Sequence, residues 1–257
     1  MRLTFLGTGT SFGVPQVGCD CAVCRSPDPR DRRTRCGAVV QSEGGALLID
    51  TPPELRLQLV ERGITRADAV LFTHEHADHV NGIDDLRAFS VLQRRSLPCY
   101  GPSETLERLR QGFPYIFDDA YQPPPGTSKP RLELRPLEPM VEVEVAGIRL
   151  LPLAFQHGTM RVFGYRFGQL AYLTDIKAVA AAERERLRGL RVLVVNALWE
   201  RPHPTHLSIP EAIELAGDLG AERTYLTHLT HETGHAQLAG RLPPGVEPAY
   251  DGLTVEV

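Results

Sequence analysis

The sequence predicts a mixed α/β fold with several antiparallel strands, and three observations support this. Apolar, β-branched runs of strand length precede helix-like segments in two successive sets. No repeat at a short period and no low-complexity tract interrupts the chain. The 257 residues, of which 42% are hydrophobic, are enough for a substantial core. One domain covering residues 1–257 therefore fits better than two.

The first half of the chain alternates predicted strands with predicted helices. The first strand ends in Gly7-Thr8-Gly9-Thr10, whose glycines allow a sharp turn. Residues 11–36 follow as a long irregular loop, and such a loop in a compact domain usually needs something that holds it. Strands are predicted at residues 3–6, 38–41, 46–50, 69–73 and 97–100, and helices at 54–62, 84–93 and 103–110, the last with Ser103 as N-cap.

The second half begins with a proline-rich segment, residues 112–130, which is predicted to be a surface connection. Ser208 is expected to cap a helix that Pro210 opens, with Glu211 in the capping-box position. Residues 250–253, Tyr-Asp-Gly-Leu, suggest a closing hairpin turn. Strands are predicted at residues 131–135, 141–145, 148–153, 162–167, 170–174, 191–196 and 224–227, and helices at 178–188 and 208–220.

Composition limits the class of protein. The net charge is −4, so the overall charge does not favour nucleic acid as a partner. No apolar run approaches the roughly 20 residues that span a bilayer, and the first residues lack the pattern of a signal peptide. We therefore expect a cytoplasmic protein without a membrane partner.

The chain is organised around a histidine-rich stretch that follows the predicted strand at 69–73. The pattern is His-x-His-x-Asp-His, formed by His74, His76, Asp78 and His79. A strand that ends in a tight loop can aim several imidazoles at one point. Imidazole nitrogens and a carboxylate oxygen are ligands that zinc, manganese and iron accept. The alternative, a cluster of solvated loop histidines, is the weaker interpretation.

Three later residues occupy a similar position, each at the end of a predicted strand. They are His157, Asp175 and His228. Any one alone would more often be structural, but their recurrence beside the histidine motif makes coincidence an unsatisfactory explanation. Asp50 also ends a strand, and two roles stay open for it: orienting a ligand histidine, or forming a turn or cap.

A second group of metal ligands lies in the long loop. Cys19, Cys21 and Cys24 offer three thiolates, and an odd total of five cysteines argues against a disulfide framework. Tetrahedral zinc needs a fourth ligand, which His231 can supply. A zinc ion there would hold the insert loop at about 11–36 in place, whereas a loop of free thiols is the alternative. Cys36 and Cys99 have apolar neighbours and are expected in the core.

The His-x-His-x-Asp-His motif resembles the signature of the metallo-β-lactamase fold, a family of metal-dependent hydrolases. This resemblance implies a four-layer αβ/βα sandwich. The cysteine insert after Leu-Gly-Thr-Gly, with a His-x₂-His ending, resembles the phosphoribosyl 1,2-cyclic phosphate phosphodiesterases of phosphonate degradation. A similar insert occurs in the pyrroloquinoline quinone biosynthesis B proteins.

The resemblance also implies site residues and cofactors. Two divalent ions, manganese or zinc with iron as a further option, would share a hydroxide, and Asp175 would bridge them. A structural zinc would occupy the cysteine cluster. His206 would assist catalysis beside the ligand Asp78, with His203 as the weaker candidate, and His235 is expected at the surface. The first ion would be held by His74, His76 and His157, and the second by Asp78, His79 and His228.

The function that this resemblance implies is hydrolysis of a small cyclic phosphate diester by a phosphodiesterase. A small phosphorylated substrate is the expected partner, and a homodimer is what the family suggests. The rival enzymes of the same fold are a tRNA 3′-processing endonuclease and a lactone or thioester hydrolase. A different class, a metal-binding accessory protein of cofactor biosynthesis with little turnover, also stays open.

Overall fold

Two seven-stranded sheets pack face to face in the computed structural model, which describes residues 1–257. The first sheet has the strand order β14-β1-β2-β3-β4-β5-β6, and the second has the order β13-β12-β11-β10-β9-β8-β7. In chain order the strands are β1 (Arg2–Gly7), β2 (Gly37–Gln41), β3 (Ala46–Ile49), β4 (Ala69–Leu71), β5 (Leu97–Gly101), β6 (Leu132–Pro136), β7 (Val143–Val145), β8 (Ile148–His157), β9 (Met160–Phe167), β10 (Leu170–Leu173), β11 (Val192–Asn196), β12 (Arg223–Thr227), β13 (Val246–Pro248) and β14 (Thr254–Glu256).

Short helices connect the strands. They are α1 (Leu55–Glu61), α2 (Ala77–Val80), α3 (Arg87–Leu92), α4 (Ser103–Gly112), α5 (Pro114–Phe117), α6 (Ala181–Arg186), α7 (Ile209–Leu219) and α8 (His235–Ala239), with 3₁₀ turns at Pro29–Asp31 and Ile83–Leu86. None of these helices is both long and apolar enough to cross a bilayer.

Three apolar clusters join the layers of this sandwich. The cluster between the sheets includes Phe5 of β1 and Tyr165 of β9. A second cluster packs α7 and its neighbours against the second sheet, and a third packs α1 and α3 against the first. Along β2 the side chains alternate between the central cluster and the outer one, because successive residues of a strand face opposite sides. This confirms the predicted α/β fold and its four-layer arrangement.

Both sheets contain parallel and antiparallel strands, and the ends of the parallel strands bring several polar side chains to one edge of the sandwich. Strands β3 to β6 run parallel, as do β10 to β13. The carboxyl ends of parallel strands meet at a common edge of the sheet, where ligand-binding loops are typically found. The loops after β4, β10 and β12 carry His74, Asp175 and His228 respectively, and His157 is the last residue of the antiparallel strand β8.

Several local predictions need correction. Ser103 is the first residue of α4 and not its cap, since Pro102 occupies that position without a side-chain hydrogen bond. The 112–130 connection contains the short helix α5, whose Ile116 is buried. Residues 250–253 do not close a hairpin, because they link β13 of the second sheet to β14 of the first. The capping box of Ser208 and Glu211 is confirmed.

Candidate metal centre

The histidine motif forms a compact cluster directly after β4. His74 and His76 lie in the loop, while Asp78 and His79 are the second and third residues of the short helix α2. The structure brings two groups of three donors together, with the donor atoms of each group within 4.8 Å of one another. One group consists of His74, His76 and His157, and the other of Asp78, His79 and His228.

Asp175 lies between the two groups. Its Oδ2 is 3.3 Å from His79 Nε2, and its Oδ1 is 3.2 Å from His228 Nε2. It also belongs to a donor group with His74 and His79. The structure therefore places all seven predicted active-site ligands around one point, and their role as ligands stays a prediction.

Three of the strand-end residues adopt an unusual backbone conformation. Asp50, Asp175 and His228 have φ angles of 63°, 57° and 58°, in the left-handed region. Non-glycine residues there cost of order 1–3 kcal/mol each and are found preferentially at functional sites. The turn after Asp175 is held by Asn196, whose side chain accepts a hydrogen bond from the Ile176 amide at 2.8 Å. The backbone thus aims these side chains inward at some cost in stability.

Asp50 orients the ligand groups from behind. Its Oδ2 lies 2.7 Å from His79 Nδ1 and accepts a hydrogen bond from the Thr73 hydroxyl at 2.8 Å. The Thr73 hydroxyl in turn lies 2.9 Å from His74 Nδ1. A carboxylate on the distal nitrogen of a ligand histidine is the usual support of a metal site. Of the two roles considered for Asp50, the structure favours the orienting one.

The donor set fits divalent cations. Both ring nitrogens of His228 and the Nε2 of His79 are buried, and although Asp175 lies near both Nε2 atoms, none of the three nitrogens makes a well-aligned hydrogen bond. Asp78 and Asp175 present carboxylates to the same space, and a buried carboxylate needs a counter-charge. Bound cations would give the bare nitrogens a partner and balance the carboxylates. Nitrogen and oxygen donors of this kind suit zinc, manganese or iron.

The protonation states of His74 and Asp175 agree with this assignment. Burial lowers the pKa of His74 well below its ordinary value, and the nearby His79 adds to the shift, so His74 keeps a free lone pair at neutral pH. Although burial alone would raise the pKa of Asp175, His228 and His79 lower it well below the ordinary range. Asp175 therefore stays ionised at neutral pH. Although burial alone would lower the pKa of His79, Asp175 and Asp50 raise it well above its ordinary value, so a cation bound there would displace a proton.

His206, and not His203, faces the centre. Its Nε2 lies 2.9 Å from Asp175 Oδ1, and its ring packs edge-on against His157 with centroids 4.6 Å apart. His203 lies behind it, with the two Nδ1 atoms 3.1 Å apart, and is the farther of the two from the carboxylate. The Thr205 carbonyl lies 3.1 Å from Nδ1 of His157. The loop before α7 thus places one histidine in the centre and supports another.

A cleft of about 380 Å³ opens onto these groups. Besides the histidines and carboxylates, Ser11, Thr159 and Thr205 line it, and Met160 is its single hydrophobic residue. The cleft is therefore small and polar, and it suits a compact ligand with several oxygen atoms better than a long apolar chain.

The cysteine cluster forms a second, separate donor set. Sulfur atoms of Cys19 and Cys21 lie 3.4 and 3.3 Å from His231 Nδ1, and these three side chains with Cys24 keep their donor atoms within 4.8 Å. The hydrogen bond from His231 lowers the pKa of the Cys21 thiol to about 6. Three sulfurs and one imidazole match a closed tetrahedral zinc site. Cys36 and Cys99 are buried, as predicted.

Some supporting residues escaped the sequence analysis. A buried threonine precedes three of the strand-end donors: Thr73 before His74, Thr174 before Asp175 and Thr227 before His228. The repeated Thr-His or Thr-Asp pair after an apolar run was the signal that could have revealed them.

Two residues near the cysteine loop also differ from expectation. His235 was predicted at the surface, which is wrong, because it is 5% exposed and its ring packs against Tyr250. Its amide donates to Asp31 at 2.6 Å, which anchors it within the fold. The fully buried Arg33 donates to the Thr230 carbonyl and, at 3.0 Å, to that of Thr233. It therefore fastens the insert loop to the segment that carries His231.

Comparison with known proteins identifies the family. The family model of the beta-lactamase superfamily domain matches residues 46–229. A crystal structure described as a new diphosphatase from the PhnP family has a TM-score of 0.91 and 40% identity, and the alignment covers 100% of this chain and 97% of that one. Zinc-bound PqqB from Methylobacterium extorquens has a TM-score of 0.80 over the full length of both chains, but at 19% identity this likeness shows the fold alone.

Two curated relatives carry different names. A protein of Porphyromonas gingivalis named octanoyltransferase is 41% identical over 256 residues, which are 98% of this chain but 51% of that protein. The chain thus spans about half the length of that relative. Ribonuclease Z of Methanopyrus kandleri is 29% identical over 279 residues, covering 89% of this chain and 94% of the relative. The relatives agree on the fold and differ in the reaction that their names describe.

Proposed function

Because the chain belongs to the beta-lactamase superfamily and, within it, to the PhnP family, we propose that this hydrolase cleaves small phosphate diesters, with a cyclic diester of the phosphoribosyl 1,2-cyclic phosphate type as its substrate class. The observation that carries the proposal is the pair of three-donor groups on either side of Asp175, at the floor of a small polar cleft. The two phosphoryl oxygens and the leaving oxygen of such a diester carry negative charge that cations must neutralise at close range. This donor set would hold cations in the positions required.

Two divalent ions bound by these donors would lower the pKa of a water molecule and neutralise charge on the phosphoryl oxygens. The protein's own side chains hold the geometry. Asp50 fixes the ring of His79, and Thr73 links Asp50 to His74. Asp175 separates the two donor groups and stays ionised. Rigid support of this kind keeps the reacting groups aligned for in-line attack.

His206 is the proposed general acid. In hydrolysis, a bond forms between the water oxygen and phosphorus while the bond from phosphorus to the ring oxygen breaks, and the departing oxygen needs a proton. Nε2 of His206 faces the cleft beside Asp175, where it can deliver that proton. His203 and Thr205 contact the opposite nitrogen of the ring at 3.1 and 3.0 Å and keep it oriented.

The rival activities have less support. A net charge of −4 offers no general attraction for tRNA, although the ribonuclease Z relative keeps an endonuclease as the second candidate. Met160 as the one hydrophobic residue of the cleft does not suit an octanoyl chain, so the name of the Porphyromonas relative is not transferred. A curated coenzyme PQQ synthesis protein B of Methylobacterium radiotolerans, 29% identical over 219 residues, keeps an accessory role as a further alternative.

A direct comparison of substrates tests the proposal. Manganese-loaded protein would be assayed with ribose 1,2-cyclic phosphate 5-phosphate, a dinucleoside diphosphate, a 3′-extended tRNA and an octanoyl thioester. We expect the cyclic diester to be opened fastest, and the reaction to disappear in Asp175→Ala. Preference for the diphosphate would move the substrate class to phosphoanhydrides, preference for the tRNA would favour the endonuclease, and no turnover of any substrate would favour the accessory role.

A further inference from the structure

A second polar cavity lies at the far end of the second sheet. It has a volume of about 330 Å³, and three arginines, Arg149, Arg166 and Arg186, contribute to its walls. Arg149 and His157 lie eight positions apart along β8, so at roughly 3.3 Å per residue their Cα atoms are about 26 Å apart. It is therefore outside the site described above.

The fold brings the three arginines, from β8, β9 and α6, together at this cavity. Arg149 and Leu151 lie two positions apart in β8 and therefore face the same side of the sheet. Arg166 of β9 is paired directly with Leu151. Arg186 ends α6, and its backbone carbonyl accepts a hydrogen bond from Arg166 Nη1. A hydrogen bond of 2.7 Å from Arg166 Nε to the Gly168 carbonyl fixes the guanidinium further.

The positive charge of this cavity is only partly compensated. Arg166 is held by backbone carbonyls, and neither it nor Arg186 forms an ion pair within 4.0 Å. Burial and the neighbouring Arg186 lower the pKa of Arg166. Glu142 is the one acidic residue in the cavity wall, and Glu144 lies 4.0 Å from Arg149. Three arginines beside two carboxylates leave a net positive charge at this cavity, and such a charge favours the binding of an anion.

We propose that this cavity binds a small phosphate-bearing anion, either free phosphate or the phosphate group of a sugar phosphate. Guanidinium forks match the oxygen geometry of phosphate and form short, charge-assisted hydrogen bonds with it. The volume lies at the lower end of the range for ligand sites, which suits a compact ligand. The proposal rests on this cavity alone and does not require the proposed reaction.

Calorimetric titration of the metal-loaded protein with inorganic phosphate, and separately with ribose 5-phosphate, tests the site. We expect two classes of binding, one at the metal centre and one at the arginines. Arg186→Gln and Arg149→Gln should each weaken the second class by at least about tenfold, the size expected for loss of a charge-assisted hydrogen bond. Arg186→Gln keeps the backbone carbonyl that supports Arg166, so the fold should survive.

Arg188→Gln is the matched control, because Arg188 is paired with Glu185 at 3.0 Å and does not line the cavity. This variant should keep both classes, and all three should keep the kcat and KM of the parent enzyme. The stronger ligand of the two tells whether the source is free phosphate or a sugar phosphate. A single binding class in the parent, or unchanged affinity in Arg149→Gln and Arg186→Gln, would overturn the proposal.

Discussion

The two clusters of potential metal ligands in this protein differ in their position in the fold, their burial and their donor atoms. The histidine–aspartate centre lies at the ends of strands, and His74 and His79 are fully buried. The cysteine cluster lies on a loop, with Cys19 and Cys21 only half-buried. The first cluster opens onto a cleft, and the second presents four donors, which are enough to complete a tetrahedral site. Open, mixed nitrogen and oxygen donors are typical of catalytic sites, and closed sulfur-rich sets are typical of structural ones.

The support of the two clusters differs as well. Packed sheets and the hydrogen bonds of Asp50 hold the histidine centre. The segment that carries the cysteines, residues 16–25, forms its long-range hydrogen bonds through His231, whereas Asp31, Arg33 and Thr34 fasten the end of the insert loop to residues 230–235 and 251. We therefore expect loss of metal to abolish activity in the first case and to lower stability in the second. The following predictions test this contrast, in order of their expected effect on activity.

Removal of Asp175 should have the largest effect. Asp175→Ala deletes the carboxylate shared by both donor groups, and we expect kcat/KM to fall at least about 10³-fold with a loss of bound metal. Rates on the cyclic diester and elemental analysis would measure both. Asp251→Ala is the control, since Asp251 is a carboxylate that accepts hydrogen bonds from Thr8 and Thr34, outside the cleft. It should destabilise the protein but keep the activity of the folded fraction. Full activity of Asp175→Ala would contradict the assignment of the centre.

His206→Ala should lower kcat about 10²–10³-fold while both active-site metals stay bound, because a general acid is lost and no ligand is. Single-turnover rates together with metal content separate these effects. The control His203→Ala should have a smaller effect, since His203 contacts only the rear nitrogen of His206. Loss of metal from His206→Ala would make His206 a ligand and refute its role as an acid.

Asp50→Asn should weaken active-site metal binding about 10–100-fold, the usual effect of a lost carboxylate behind a ligand histidine. Competition with a fluorescent chelator would measure the affinity. Activity should recover at high metal concentration, because the ligands themselves remain. Failure to recover under saturating metal would show that Asp50 acts on more than metal affinity.

Cys21→Ser should release one zinc per chain and lower the free energy of unfolding by about 3 kcal/mol, while the folded enzyme keeps nearly its full kcat. Denaturant unfolding and elemental analysis would show this. Cys99→Ser is a matched control, since Cys99 is buried in the first sheet away from the cluster and should leave the zinc content unchanged. Equal zinc content and equal melting of Cys21→Ser and the parent would refute a structural zinc site.

The smallest effect should be the pH dependence of the cysteine cluster. The hydrogen bond from His231 lowers the pKa of Cys21 to about 6, below the ordinary thiol value of 9.0. A depressed pKa stabilises the folded state above the ordinary value, and this stabilisation is lost as the pH falls through about 6. The contribution of the Cys21 thiolate should therefore fall progressively from about pH 9 to about pH 6, and zinc should be retained least well below about pH 6. Release with a midpoint near pH 9 would contradict this linkage.

Much of the two ligand clusters could be predicted from the sequence, because their residues are recognised by spacing within short segments of the chain. An apolar run followed by a polar residue puts that residue at a strand end, which located His74, His157, Asp175 and His228. The spacing Ser-x-x-Glu at residues 208–211 likewise predicts its own capping box, since both partners lie within one helical turn. The cysteine spacing indicated a thiolate cluster for the same reason.

The tertiary structure alone decided which distant groups meet. It directed Asp50 to His79, put His206 rather than His203 beside Asp175, and buried His235 beneath Tyr250. It also carried residues 250–253 from one sheet to the other and brought three arginines of separate elements to one cavity. The spacing of apolar residues determines whether a segment forms a helix or a strand and which of its faces is apolar. Which residues meet at the ends of the strands is decided by the packing of the two sheets. This packing depends on contacts between residues far apart in the chain.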